Sequence, residues 1–258
     1  MRVLFPGVIF TIYAFIAAPL IVVIVVSFNS GNVASLPIEG FSLRWYANAL
    51  ETRAFVRALG TSLWLAITAT MIAMPIALAA AVAIAQGDFR GRAAMETFFM
   101  TPLLVPGLVI GIALLVSFSA LQVRDAPLRL LAGHVLIALP YCIRTILASL
   151  TRMDRALIEG AQTLGADDFT AFRLITLPLA APGIIAGTSF AFLQSFGDVP
   201  ISLFLIDARN ATLPITIMSY LEYSVDPTVA AMSSMITIAS FAVALVIERL
   251  VGLRRALG

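Results

Sequence analysis

The stretch "EGAQTLGADDFTAFRLITLP", residues 159–178, interrupts a chain that is otherwise strongly apolar. Three acids and one arginine occur within its twenty residues, and Gly165 divides it into two parts. A glycine at the end of a helix adopts the left-handed conformation at little cost, so Gly165 is well placed to stop one helix before another begins. The pattern predicts a helix, a break at Gly165 and a second helix, which together are too short and too polar to cross a membrane.

The composition around this stretch is typical of a membrane protein. Of the 258 residues, 61 % are hydrophobic and only 12 % are charged, whereas a soluble domain carries about 25 % charged residues. A bilayer-crossing helix needs roughly 20 apolar residues. Six segments meet this length or come close to it, namely residues 3–38, 58–87, 97–123, 134–151, 174–197 and 227–247. We therefore predict an all-α, multi-pass membrane protein with six transmembrane helices.

The arginines predict the orientation of these spans. Nine arginines lie in the segments that share a side with both termini, and six lie in the segments on the other side. Because arginine is enriched in cytoplasmic loops, we expect both termini in the cytoplasm. The stretch 159–178, which lies between the fourth and fifth spans, then faces the cytoplasm.

The organisation predicted for the chain is one span followed by a core. The outer segment between the first two spans contains an amphipathic pattern that predicts a short helix at the membrane interface. We expect residues 1–56 to form the first transmembrane helix and this outer loop, and residues 57–258 to form a core of five transmembrane helices with a loop at about 151–180. The apolar side of the interfacial helix is formed by Trp45, Tyr46, Ala49, Leu50 and Phe55.

Local signals define the two helices of the loop. Thr151 and Asp154 have the spacing of a capping box, and Arg155 is expected to pair with Glu159 one helical turn later. Asp167 or Asp168 is expected to cap the second helix or to lie in its first turn. Pro178 and Pro182 predict the point where the chain returns to the membrane, which leaves Leu164, Ala166 and Phe169 to face a partner.

The spacing of this loop resembles the EAA motif of permease subunits from ATP-binding-cassette importers. That motif has a glutamate, two small residues, a glycine after three variable positions, and Ile-x-Leu-Pro after nine more. The matching residues here are Glu159, Gly160, Ala161, Gly165, Ile175, Leu177 and Pro178, with Gly160 in place of the usual alanine. The stretches "SFNS" and "GFSLRWYANAL" and residues 213–230 further resemble spermidine/putrescine-type permeases.

This resemblance implies the type I importer fold, in which a cytoplasmic coupling-helix loop docks on a partner ATPase. It implies a bacterial inner-membrane location, a dimer of cytoplasmic ATPase subunits, a second permease that we expect to differ from this chain, and a periplasmic solute-binding protein, but no nucleic acid. The sequence has no G-x-x-x-x-G-K-[ST] phosphate loop, so we expect no enzymatic activity and no cofactor in this chain, with ATP and Mg²⁺ on the partner. The expected coupling residues are Glu159, Gly160, Ala161, Leu164, Gly165, Ala166 and Phe169.

The candidate solute pathway centres on Asp198, in "FLQSFGDVPISLFL". A carboxylate inside a membrane costs roughly 2.5–3.5 kcal/mol on insertion scales, so such a residue faces a cavity, a partner or water. One interpretation is that Asp198, with Gln194 and Ser195 nearby, attracts a cationic solute such as a polyamine. The alternative is a structural aspartate that binds the backbone freed before Pro200. The stretches "TPLLVPG" (101–107) and "FGDVP" (196–200) also indicate breaks in their spans.

Two other classes of function fit the sequence less well. A secondary transporter driven by an ion gradient would leave the polar loop without a role. An intramembrane enzyme lacks candidate residues, since His134 is the only histidine and neither H-E-x-x-H nor G-x-S-x-G occurs. We expect His134 at the outer interface, near the start of the fourth span.

Overall fold

The computed structural model describes residues 4–154, 156–224 and 226–256, and its regular elements are helical. Besides the helices, these residues contain an isolated β-bridge between Asn29 and Phe41. The helices in chain order are α1 (Leu4–Val26), α2 (Arg44–Glu51), α3 (Arg53–Gln86), α4 (Arg92–Leu104), α5 (Gly107–Ala120), α6 (Ala126–Leu150), α7 (Ala156–Thr163), α8 (Asp168–Ala171), α9 (Leu177–Phe196), α10 (Ser202–Leu205), α11 (Leu213–Tyr223) and α12 (Thr228–Ala256), with a π-helical turn (Phe172–Thr176) between α8 and α9.

Several of these helices are long and apolar enough to cross a membrane. By length and composition four are continuous spans, namely Gly7–Val26, Arg53–Gln86, Ala126–Leu150 and Asp168–Phe196. A fifth is formed if α4 and α5 count together as one bent span, and the apolar stretch Thr228–Val243 of α12 is shorter than a full span. The chain is therefore a helical, multi-pass membrane protein, as the sequence predicts.

The third predicted span, residues 97–123, is not one continuous helix. The axes of α4 and α5 differ by 104°, and the break lies at Val105 and Pro106. Val105 has extended backbone angles, φ −96° and ψ 132°, because the ring of a following proline disfavours the helical conformation. The bend therefore follows from the "VPG" sequence that was expected to interrupt this span.

The chain divides into two compact units. One consists of Met1–Gly60 and Leu213–Val243, and the other of Thr61–Thr212 and Ala244–Gly258. The predicted division of the chain into residues 1–56 and a core of residues 57–258 stays a prediction.

Within the first unit, Asn29 organises the segment between α1 and α2. Its side-chain oxygen accepts hydrogen bonds from the backbone N–H groups of Gly31 (3.0 Å) and Glu39 (2.9 Å). Its carbonyl accepts a 2.7 Å bond from the Trp45 indole of α2. The predicted short helix is confirmed as α2, although Phe55 belongs to the following helix α3 rather than to α2.

Within the second unit, α6 and α9 pack closely against each other. Ala138, Cys142 and Ile146 of α6 and Ala180 and Ala191 of α9 are buried in one apolar core. Small side chains let two helix backbones approach closely, which is how transmembrane helices gain contact area without a hydrophobic driving force. This helix pair positions both candidate sites, because α9 connects one to the other and α6 ends just before the polar loop.

Candidate functional site

The polar loop between α6 and α9 turns sharply at Gly165. Gly165 has a φ of +91°, the left-handed region that disfavours residues with a side chain. Its N–H donates to the carbonyl of Gln162 (2.9 Å), and the Ala166 N–H donates to the carbonyl of Ala161 (3.0 Å). These two bonds are those of a Schellman motif, which satisfies the last carbonyls of a helix. The predicted helix break at Gly165 is confirmed.

The start of α7 differs from the sequence-based expectation. Thr151 is the C-cap of α6, where its N–H donates to the carbonyl of Leu147. The Asp154 carboxylate instead accepts a 3.0 Å hydrogen bond from the Ala156 N–H. The predicted capping box at Thr151 is therefore wrong, because α6 extends to Leu150 and uses Thr151 itself. Arg155, the expected partner of Glu159, lies outside the described residues.

The second half of the loop is the first part of a long helix. Asp167 is the N-cap of α8, with its carboxylate accepting a 2.8 Å bond from the Thr170 N–H, and Asp168 lies in the first turn, as predicted. Hydrogen bonding by the Thr170 side chain and backbone lowers the pKa of Asp167 below its ordinary value. The Gln162 amide donates to Asp168 (3.0 Å) and so ties α7 to α8.

The chain does not turn at Pro178, where the sequence predicted its return to the membrane. Helical structure is continuous from Asp168 to Phe196, and a π-helical turn at Phe172–Thr176 lies just before Pro178. Proline lacks the N–H that an α-helix needs and its ring displaces the carbonyl four residues earlier. A π-helical turn is one way to absorb that disruption without ending the helix. The loop is therefore built rigidly onto the span α9.

The seven predicted coupling residues form a largely exposed surface. Leu164 is 90 % exposed and Phe169 is 69 % exposed, although both are large apolar side chains. Glu159, Gly160 and Gly165 are also exposed, and Ala161 and Ala166 are half-buried. An apolar pair held on a rigid polar loop is the arrangement expected of a surface that contacts another protein.

A cavity of about 270 Å³ lies in the second unit, between the α4–α5 break, α6 and the end of α9. Asp198 and Gln194 line it, as does Tyr141 of α6. A carboxylate, an amide and a phenol in an otherwise largely apolar wall provide hydrogen-bond acceptors and an aromatic ring, which suit an ammonium group. Sequence reasoning missed Tyr141. It lies four residues after Ile137, which also lines the cavity, and this spacing places the two on one face of α6.

The two proline-containing stretches singled out in the sequence meet at this cavity. Pro102, Val105 and Gly107 from the first stretch line it together with Asp198 and Pro200 from the second. The short helix α10 follows directly and packs on α5 at Gly111, where a β-carbon would lie 2.9 Å from the Pro200 carbonyl oxygen. Only glycine allows so close an approach between these backbones.

Asp198 is held through one of its two carboxylate oxygens. Oδ2 accepts hydrogen bonds from the N–H of Ile201 (3.2 Å), the N–H of Ser202 (2.9 Å) and the Ser202 hydroxyl (3.1 Å). Both backbone donors follow Pro200, so Asp198 has the structural role of the second interpretation, but it binds the backbone after Pro200 rather than the backbone before it. Asp198 is 5 % exposed and also lines the cavity, so both interpretations describe parts of its surroundings.

Ser195 and His134 lie elsewhere than expected. The Ser195 side chain is buried and does not line the cavity. Its hydroxyl lies 2.7 Å from Nδ1 of His134. His134 is fully buried inside α6 rather than at the outer interface, because α6 starts at Ala126, eight residues before it. Within the described residues, no group of three His, Cys, Asp or Glu side chains is placed to hold a metal ion.

The chain is a helical, multi-pass membrane protein, and comparison with known proteins identifies its family. Residues 73–255 match the family described as binding-protein-dependent transport system inner membrane component, and the chain belongs to this family. The chain is 32 % identical over 239 residues to the spermidine/putrescine transport system permease protein PotC of Escherichia coli strain K12, covering 93 % of this chain and 90 % of that protein. The resemblance stated from the sequence is thereby confirmed.

Solved structures share the fold. The crystal structure of a bacterial ABC transporter involved in the import of the acidic polysaccharide alginate contains a chain with a TM-score of 0.74, at 15 % identity over 96 % of this chain and 95 % of that one. A bacterial alginate ABC transporter in complex with an alginate pentasaccharide-bound periplasmic protein gives a TM-score of 0.67 at 18 % identity, covering 97 % and 91 %. At such identities the likeness concerns the fold alone.

Proposed function

We propose that this chain is the membrane-spanning permease subunit of an ATP-binding-cassette importer and carries a polyamine, or a similar small polar cation, across the bacterial inner membrane. The observation that supports this most is the Gly165 loop of a chain in the transport family, with an exposed apolar pair rigidly joined to a span. In this proposal six helices span the membrane and both termini are cytoplasmic. The bent pair α4–α5 is one span, and α12 is the sixth.

The coupling step follows from the construction of the loop. Leu164 and Phe169 insert into a groove on a partner ATPase, while Glu159 orients the loop. Because α8 continues through the π-helical turn into α9, a displacement of the ATPase moves the span as a lever rather than bending a flexible linker. ATP binding and hydrolysis, with Mg²⁺, take place on a dimer of partner ATPases, and this chain binds no cofactor. The bundle then alternates between inward-open and outward-open packings.

The other proposed partners are a second permease, which we expect to differ from this chain, and a periplasmic binding protein that delivers the solute. A relative in this family is named for spermidine and putrescine transport, whereas the fold also occurs in a transporter of an acidic polysaccharide. The fold therefore leaves the charge of the solute open, and the residues that line the cavity support a cation. Asp198, with Gln194 also lining the cavity, supplies the negative charge that a polyamine requires, and Ser195 acts indirectly, through its contact with His134.

The test is purification in mild detergent with mass spectrometry, followed by reconstitution into vesicles. We expect an ATPase with a phosphate loop and a second permease to remain bound, and radiolabelled spermidine or putrescine to enter only when ATP is supplied on the cytoplasmic side. Uptake that needs no ATP and collapses with an ion gradient would establish a secondary transporter instead. A chain that purifies without an ATPase would overturn the coupling role of the loop.

A further inference from the structure

Four polar side chains, from α6, α9, α10 and the turn between α9 and α10, meet in the apolar interior next to the cavity. They are His134 of α6 (0 % exposed), Ser195 of α9 (3 %), Asp198 (5 %) and Ser202 of α10 (0 %). Nε2 of His134 lies 3.0 Å from the Ser202 hydroxyl oxygen and 4.0 Å from Oδ2 of Asp198. Unpaired polar groups are costly in such surroundings, and hydrogen bonds link these four side chains.

The protons in this cluster have one consistent arrangement with a neutral imidazole. The Ser202 hydroxyl has a single proton, and it donates that proton to Oδ2 of Asp198. The Ser202 oxygen must then accept from His134, so Nε2 carries the proton and Nδ1 does not. Nδ1 in turn accepts from the Ser195 hydroxyl at 2.7 Å. The result is a directed chain of hydrogen bonds from Ser195 through His134 and Ser202 to Asp198.

This series of hydrogen bonds determines which carboxylate oxygen of Asp198 is left without a donor. Oδ2 receives three donors, all from Ile201 and Ser202, whereas Oδ1 has no hydrogen-bond partner among the described residues. A carboxylate held through one oxygen has a fixed rotamer, and Asp198 lines the cavity. Ser202 is held in place by His134 as well as by the packing of α10, where Ile201 and Leu205 contact Gly133 of α6.

We propose that His134 is a positioning residue for the solute pathway. Through Ser202 it fixes Asp198 so that Oδ1 stays free for an ammonium group of the solute. The proposal rests on the proposed function of Asp198 in a cation pathway and extends it to two residues, His134 and Ser202, that do not line the cavity. A purely structural anchor would hold α10 in place without affecting how Asp198 acts on a cation, and the experiments below separate these two roles.

The first experiment examines the imidazole directly and needs no partner. Since His134 is the only histidine, protein labelled with ¹⁵N-histidine and purified through a histidine-free tag gives one pair of ring nitrogen signals. We expect a neutral ring with the proton on Nε2 and a changed Nε2 signal in Ser202→Ala. Ser189→Ala is the matched control, because it removes a buried hydroxyl of α9 that bonds within its own helix to the Ile185 carbonyl. If the ring averages between its two tautomers, or if its Nε2 signal does not change in Ser202→Ala, the hydrogen bond from His134 to Ser202 does not exist as proposed.

The second experiment measures ATP-driven uptake of radiolabelled spermidine by the complete complex in vesicles. Losing a hydrogen bond to a charged group predicts roughly tenfold slower uptake for Ser202→Ala. His134→Leu acts on Asp198 only through Ser202, so its loss should be no larger than that of Ser202→Ala, and the loss should be smaller still for His134→Gln, whose amide restores a donor near Ser202. The double variant His134→Leu with Asp198→Asn should be no slower than Asp198→Asn alone, because the two substitutions interrupt one function.

The outcomes distinguish this proposal from the one it rests on. If the fold reduction in uptake of the double variant equals the product of the fold reductions of the two single variants, His134 acts independently of Asp198 and the positioning role is wrong. If Asp198→Asn transports normally, the cation pathway through Asp198 is wrong, and the positioning role is wrong with it. If the wild-type complex shows no ATP-driven uptake of spermidine, the proposed polyamine import is wrong and the positioning role for a polyamine is wrong with it, whereas the ring nitrogen signals still show whether His134 donates to Ser202. Unchanged amounts of bound ATPase in His134→Leu and Ser202→Ala check that the variants fold.

Discussion

The loop at Gly165 and the cluster at His134 are both polar, yet they differ in burial and in how far apart in sequence their hydrogen-bonded residues lie. The loop is exposed, its hydrogen bonds join residues within seven positions of one another, and its largest apolar side chains face outwards. The cluster is buried, and the two bonds of His134 that hold it together join residues 61 and 68 positions apart. A local motif can be read from spacing, whereas a cluster built by helix packing cannot. We expect substitutions in the loop to weaken binding of the ATPase, and substitutions in the cluster to slow uptake of the solute.

The largest effect is expected at the centre of the loop. Gly165→Val places a β-branched residue at φ +91°, where side chains with a β-carbon are strained. We expect the Schellman motif to open, ATP-driven uptake to be abolished and the ATPase to be lost on purification, while the protein remains in the membrane. Gly60→Val is the control, since Gly60 lies in α3 and a β-carbon added there would meet no atom within 4 Å. Normal uptake by Gly165→Val would show that the turn is dispensable.

What the sequence predicts about this loop is mostly local, and it agrees with the structure for that reason. The break at Gly165 and the cap at Asp167 depend on residues within one or two turns. The cap at Thr151 was wrong because Thr151 closes the C-terminal end of α6 instead of starting α7, and the end of a helix depends on what it packs against. The return at Pro178 was wrong because a π-helical turn absorbs the proline.

The cavity was predictable only in part. The cost of an intramembrane carboxylate identified Asp198, and the prolines identified the two breaks. No spacing connects His134 to Ser202 or brings Tyr141 and Gln194 to one cavity, since these contacts depend on how α6, α9 and α10 pack. Nothing in the sequence around His134 indicates that its side chain is buried. Its burial follows from the packing of α6 against its neighbours and from the start of α6 at Ala126, before the predicted span.

The second prediction concerns the exposed apolar pair. Leu164→Ala and Phe169→Ala remove side chains that contact little of the chain itself, so the stability of the permease should not change. If each side chain is buried against the ATPase, its loss costs about 1.5–3 kcal/mol of association, or roughly tenfold to a hundredfold in affinity. ATPase binding by the purified permease measures this. Leu121→Ala, at a leucine that is 72 % exposed just after α5, should bind normally; equal binding by all three variants would exclude the pair as the docking surface.

The third prediction concerns the charge at the cavity. Asp198→Asn retains the shape and most of the acceptors of the side chain but removes its charge, so we expect spermidine uptake to fall about tenfold while ATPase binding stays at the wild-type level. Asp207→Asn is the control, because Asp207 is an exposed aspartate that bonds within its own turn to Arg209 and Asn210. A parallel loss of ATPase binding in Asp198→Asn would indicate that the cavity and the loop are not separable in function.

The smallest effect is expected at Gly160, five residues before Gly165 and in the same loop. Gly160 is helical, and a β-carbon there would meet no atom within 4 Å. Gly160→Ala, which restores the alanine usual in the resembled motif, should stabilise α7 by about 0.5–1 kcal/mol because glycine loses more backbone freedom on folding. The backbone amides at the end of α7 should then exchange with solvent roughly two- to fivefold more slowly, whereas Gly165→Ala should speed their exchange. If both substitutions change exchange in the same direction, the loop is not a helix ended by a left-handed residue, and its rigidity cannot be what transmits the movement of the ATPase to α9.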